Sequence, residues 1–206
     1  MKYLSILIAI LSLTISFSAS ATLYTPTSMK MKIYRILIST DPLCTNPIVL
    51  WAPAVPQTVD FIAAPTLGNG QVPDGTYKCM IWEISDQVTM TEPTTSGTCT
   101  AGTVITTDVC RSPVTTTSIA GVTTSCVTGG DDKITIYLST ASTSTGGNLG
   151  YATPPTSLSD SVNGMNLSGA LVISGDSSGT LVFNGAGTLD DTQTGCNGQA
   201  PKFGFR

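Results

Sequence analysis

The chain has 206 residues, with 9 Lys or Arg against 13 Asp or Glu and no histidine, for a formal net charge of −4 at pH 7. Without an imidazole, Ser-His-Asp and Cys-His catalytic constellations and most catalytic zinc sites are excluded. The acidic balance excludes nucleic acid and anionic membrane as partners, because binding them takes a basic stripe that releases counterions, and the one basic cluster, Lys30, Lys32 and Arg35, is short and interleaved with apolar residues.

The first residues fall into three zones: Lys2, then the apolar run 4–13, then small residues over 16–21. That order is the pattern of a secretory signal peptide. Ala19-Ser20-Ala21 supplies the small-x-small pair that signal peptidase accepts, so cleavage is expected between Ala21 and Thr22. A membrane-spanning helix needs roughly 20 apolar residues, and here Ser12, Thr14, Ser16 and Ser18 interrupt the run. The mature chain, 22–206, contains no apolar run of spanning length and is expected to form a single exported domain.

All six cysteines, Cys44, Cys79, Cys99, Cys110, Cys126 and Cys196, lie in the mature part. An even count in a chain bound for an oxidising compartment predicts three disulfides. Zinc binding would call for close Cys pairs and histidine, whereas the nearest pair, Cys99 and Cys110, is eleven residues apart. That pair would close a short loop and is slightly preferred as a partnership, the remaining connectivity staying open.

Thr and Ser together number 56 while charged residues make up 11 % of the chain, so hydroxyls must cover much of the surface. Thr is β-branched and suits a pleated sheet better than a helix. In chain order, residues 31–39 (MKIYRILIS) predict a strand stopped by Asp41-Pro42, and 48–51 a shorter one closed by Pro53. Residues 58–63 alternate, and Gly68-Asn69-Gly70 and Pro73-Asp74-Gly75 mark turns. The strongest strand signal is 76–85 (TYKCMIWEIS), with Tyr77, Cys79, Ile81 and Glu83 on one face and Lys78, Met80, Trp82 and Ile84 on the other. Both faces are at least partly apolar, which predicts a place in the sheet interior.

From about 89 to 130 the chain is Thr-rich and predicts a loop-rich excursion with short strands at 102–107 and 118–122. Residues 133–140 (KITIYLST) alternate as a strand, and about 141–161 reads as a polar exposed loop or linker carrying Gly146-Gly147 and Pro154-Pro155. Residues 170–174 and 180–184, separated by a glycine-flanked loop, predict a β-hairpin. No helical period appears beyond the leader. The expectation is an all-β chain forming a single β-sandwich of Ig-like or transthyretin-like type, with a small β-barrel as second choice.

Most aspartates sit in turn contexts, where their carboxylates accept backbone hydrogen bonds; Glu83, within the strongest strand, predicts cross-strand pairing rather than catalysis. The doublets Asp131-Asp132 and Asp190-Asp191 lack the spacing of a calcium loop. No catalytic, cofactor-binding or metal-ligating residue is assigned. Tyr151, in the Gly-Pro-rich loop, is the candidate platform for stacking a sugar ring. The expected function is a non-enzymatic exported protein with a structural or adhesive role at the cell surface or in the periplasm. One alternative is a fibre subunit that donates its N-terminal strand to a second copy; the other is a carbohydrate-binding module. Expected partners are therefore the chain itself or a surface glycan or protein.

Overall fold

A computed structural model describes residues 23–63, 71–109, 114–117, 123–126, 129–145, 149–175, 181–191 and 196–205. The leader, the Ala21-Thr22 cleavage point, the candidate strand at 118–122, Cys110 and the side chain of Cys126 lie outside the described residues.

Among the described residues the chain is all β, apart from one 3₁₀ turn, η1 (Leu149–Ala152). The strands are β1 (Leu23–Tyr24), β2 (Ser28–Ser39), β3 (Ile48–Trp51), β4 (Gln57–Asp60), β5 (Gly75–Tyr77), β6 (Cys79–Ser85), β7 (Gln87–Thr91), β8 (Val104–Asp108), β9 (Val114–Thr117) and β10 (Thr123–Cys126). They continue as β11 (Lys133–Ser139), β12 (Met165–Ser168), β13 (Leu171–Ile173), β14 (Leu181–Asn184), β15 (Leu189–Asp190), β16 (Asn197–Gly198) and β17 (Lys202–Phe205). No helix among the described residues is long and apolar enough to cross a membrane.

Ten strands form one sheet in the order β14, β17, β12, β11, β6, β2, β7, β8, with β3 and β4 also paired to β2. No sheet closes into a barrel among the described residues. Strand β2 organises this sheet. Its apolar positions run Met29, Met31, Ile33 and then Ile36, Ile38, a change of phase that a flat strand would translate into a change of face. A register shift between Ile33 and Arg35 absorbs the extra residue, Tyr34, as a bulge, so that all five side chains stay buried.

Strands β6 and β7 run along β2 as one bent strand interrupted at Asp86. On its far side β6 pairs with β11 and β7 pairs with β8, so the sheet forks at Asp86. The Asp86 N–H donates to Asp132 O at 2.9 Å on one branch, and its carbonyl accepts from Val109 N at 2.9 Å on the other.

Every residue of β6 is buried, as the double apolar pattern of 76–85 predicts. On one face Trp82 packs against Phe61, with ring centroids 5.1 Å apart, and against Phe203 at 5.4 Å, while Phe183 closes the group. On the other face Leu37, Cys44, Cys79, Ile81 and Tyr137 form a second cluster. The loop after β2 covers this cluster, held down by the Cys44–Cys79 disulfide.

Three sequence expectations are corrected. The segments 170–174 and 180–184 do not form a hairpin with each other: β13 pairs with β5, and β14 pairs with β17. Local spacing and a glycine-flanked loop suit a hairpin, but each strand pairs along its full length with a strand distant in sequence. The excursion from 89 carries the expected short strand of 102–107 as β8, but its start at 89–91 belongs to β7, which pairs with β8 over five positions and extends the main sheet. Within 141–161, Ser142, Tyr151, Ala152 and Asp160 are all buried, so this polar stretch is packed onto the sheet as the crossover to the parallel strand β12.

Candidate functional site

Strands β2, β6, β7, β8, β11, β12 and β17 border a partly open, mostly apolar cavity of about 360 Å³, together with η1 and the segment 198–201. Four methionines, Met29, Met31, Met90 and Met165, line it together with Ile84, Val88, Ile136, Tyr151 and Phe203. Thioethers on unbranched chains adapt to irregular apolar shapes, and only Thr107, Thr145 and Gln199 bring polar side chains to the wall.

Tyr151 is 4 % exposed and lines this cavity, so it is not a platform on the outer surface. A sugar-stacking ring needs an open face, and η1 turns this one inward, where its hydroxyl donates to Val109 O at 3.4 Å. Burial, together with the carboxylates of Asp86 and Asp108, pushes the phenol up to about 12.

The backbone carbonyl of Asp86 accepts from the N–H of Val109, a residue of the cavity wall, at 2.9 Å. The Asp86 carboxyl Oδ1 accepts from Asp132 N at 2.8 Å, while Oδ2 is buried with no hydrogen-bond partner among the described residues. Burial first, then the charges of Asp108 and Asp132, hold its pKa above the usual carboxylate value. Glu83 shows the opposite balance. Burial pushes this carboxyl up, but Arg35 Nη2 at 2.7 Å and Lys133 Nζ at 3.2 Å outweigh it and hold the group below its ordinary value. Cross-strand register puts Arg35 directly opposite Glu83.

The remaining acids serve the fold. Asp41 Oδ1 accepts from Leu43 N at 2.9 Å, and Asp74 Oδ2 accepts from Gly175 N at 2.9 Å, both in the turns where sequence places them. In the first doublet Asp131 pairs with Lys32 at 2.8 Å; in the second Asp191 accepts from Ser96 Oγ at 2.8 Å. Asp160 accepts from the backbone N–H groups of Thr156, Val162 and Asn163, which hold its carboxyl far below the ordinary range.

Cys99 pairs with Cys196 across 97 residues, not with Cys110. Short loop length favoured the local pair, but the turn from Ser96 to Cys99 packs against the C-terminal segment, where Ser96 Oγ meets Asp191. Close approach is built into this contact: a Cβ at Gly97, whose φ is +54°, would fall 2.7 Å from Asp191 O. Beside this disulfide sits Glu92, 2 % exposed, with neither carboxylate oxygen hydrogen-bonded among the described residues. A Glu92 oxygen and the two sulfurs lie within 4.8 Å of one another. Both sulfurs are committed to the disulfide, so neither offers a thiolate to a cation.

Sequence reasoning missed the roles of Asp86 and Glu92. Each follows or ends an apolar strand, and neither position carries a local signal of burial. The chain matches no family model, and no curated protein or solved structure matches it significantly.

Proposed function

We propose that the chain is a non-enzymatic exported protein with a structural or adhesive role at the cell surface or in the periplasm, built as a single β-sandwich of Ig-like or transthyretin-like type. The two hydrophobic clusters on opposite faces of β6 support the layered architecture.

The observation that carries the adhesive reading is the outer edge formed by β3 and β4. Residues 45–59 contain no charged side chain, and Ile48, Val49 and Val55 are exposed along them. Exposed sheet edges ordinarily carry charge, Lys above all, to prevent pairing with other chains. Pro47, Pro53 and Pro56 remove amide donors on either side, which leaves the four residues of β3 as a short open ladder. Among the described residues β3 pairs with β2 alone. Such an edge suits contact with another surface by strand addition.

The alternative of a fibre subunit that donates β2 has less support, since that strand pairs along both of its sides within its own sheet. The carbohydrate-binding alternative loses its candidate platform with the burial of Tyr151.

Two measurements test the proposal. Cells expressing the full chain are fractionated and shaved with protease; a product of the mass of residues 22–206 in the envelope or medium is expected, and full-length chain retained in the cytoplasm overturns export. Mature protein carrying Val49→Lys is then compared with the wild type for retention on intact cells, with loss of retention expected; equal retention removes the edge as the contact surface.

A further inference from the structure

We propose that Cys99–Cys196 is an exchange-active disulfide, opened by an external dithiol, in which the Glu92 carboxylic acid supplies a proton to the buried Cys99 sulfur as it leaves.

The geometry carries this in three ways. First, a Glu92 carboxyl oxygen lies within 4.8 Å of both sulfurs. Second, Glu92 is buried and both of its oxygens lack hydrogen-bond partners among the described residues. An ionised carboxylate held there would have neither water nor a donor, so burial favours the acid over the carboxylate. Third, the disulfide is asymmetric: Cys99 is 2 % exposed whereas Cys196 is half-buried. Attack is therefore directed at Cys196, and the leaving sulfur, Cys99 Sγ, lies within 4.8 Å of the acid.

The other described disulfide lacks this arrangement. Cys44 and Cys79 are both buried, and Leu37, Ile81 and Tyr137 pack with them. The neighbouring acid, Asp41, is held ionised by Thr45 and Leu43 and has no proton to give.

The exchange balances as follows. A thiolate of the dithiol attacks Cys196 Sγ, the S–S bond breaks, and its electron pair goes to Cys99 Sγ. The Glu92 carboxyl proton moves to that sulfur, leaving a Cys99 thiol, a Glu92 carboxylate and a mixed disulfide at Cys196. The second thiol of the reagent, as its thiolate, attacks its own sulfur in the mixed disulfide and expels Cys196 thiolate, which takes a proton from water. Water also reprotonates Glu92, and the reagent departs as a cyclic disulfide, having given two electrons to the protein. The transfer to Cys99 runs downhill, because even a raised carboxylic acid is stronger than a thiol whose ordinary value is about 8.5 and which burial raises further.

Burial alone raises Glu92. Among the described residues, the titratable groups on the elements packed at this end are Tyr24, Asp190 and Asp191: Tyr24 and Asp191 are joined through Ser96, Asp190 stands opposite Asn197 of β16, and Lys30, opposite Thr89, is exposed.

The test treats the mature protein with dithiothreitol from pH 5 to pH 8 and follows the two described disulfides separately by alkylation and peptide mapping. After correction for the ionised fraction of the reagent, the rate at Cys99–Cys196 is expected to fall about a hundredfold as pH rises, the lower end of general acid catalysis, while that at Cys44–Cys79 stays constant. Glu92→Gln is expected to slow Cys99–Cys196 by the same factor at pH 5 and leave Cys44–Cys79 unchanged. A flat corrected profile at Cys99–Cys196 in the wild type, or an unchanged rate at pH 5 in the variant, overturns the proposal. Should the variant not fold, the wild-type profile with its internal control decides alone.

Discussion

Asp86 accepts the backbone N–H of Asp132 through Oδ1 at 2.8 Å, at the position where the bent strand stops pairing with β11 and starts pairing with β8. The side chain thus ties one branch of the fork while its own backbone serves both. Replacing it with Ala removes the acceptor and is expected to cost about 1–3 kcal/mol, the penalty of an unsatisfied partly buried donor. Replacement with Asn keeps an acceptor and removes the titration. Because the folded pKa of Asp86 lies above the reference value of 3.8, the stability linked to its protonation is present below that value and is lost as pH rises through the folded one. The stability of the wild type relative to Asp86→Asn should therefore decline with rising pH across that window, as urea midpoints will show.

Glu83 predicts the reverse slope. Its folded pKa lies below the reference value of 4.5, so its ion pairs stabilise the protein above that pH and are lost as pH falls through the folded value. Glu83→Ala leaves Arg35 and Lys133, each about a third exposed, without their common partner and is expected to cost about 1.5–3 kcal/mol near neutral pH, the worth of hydrogen bonds to a charged group. The deficit should shrink under acid, and unfolding curves at several pH values measure both the size and the slope.

Trp82 is 1 % exposed and touches both Phe61, which follows β4, and Phe203 of β17. Trp82→Ala should destabilise the fold by about 3–5 kcal/mol through lost burial and the cavity left behind. A denaturant midpoint shifted by much less would mean that the aromatic cluster repacks.

The burial of β6 was legible because its seven residues carry apolar side chains on both faces, which only an interior strand satisfies. The Asx turn at Asp41 was equally legible, since its chemistry acts within two residues, whereas Asp74 accepts from Gly175, 101 residues away. Glu92 was not legible: a glutamate after a Thr-rich strand reads as solvated, and its burial depends on the C-terminal segment that brings Cys196 to it from 97 residues beyond Cys99.

The sequence by itself determined the all-β class, the interior position of 76–85, the structural use of the turn aspartates and the absence of imidazole chemistry, because each rests on local backbone preference, side-chain alternation or composition. Tertiary structure alone decided that Cys99 joins Cys196, that β13 and β14 part company, that Tyr151 faces a cavity and that β3 ends on an open edge. These outcomes are choices among distant partners, and they are set by which apolar faces bury one another best across the whole chain rather than by any short stretch of it.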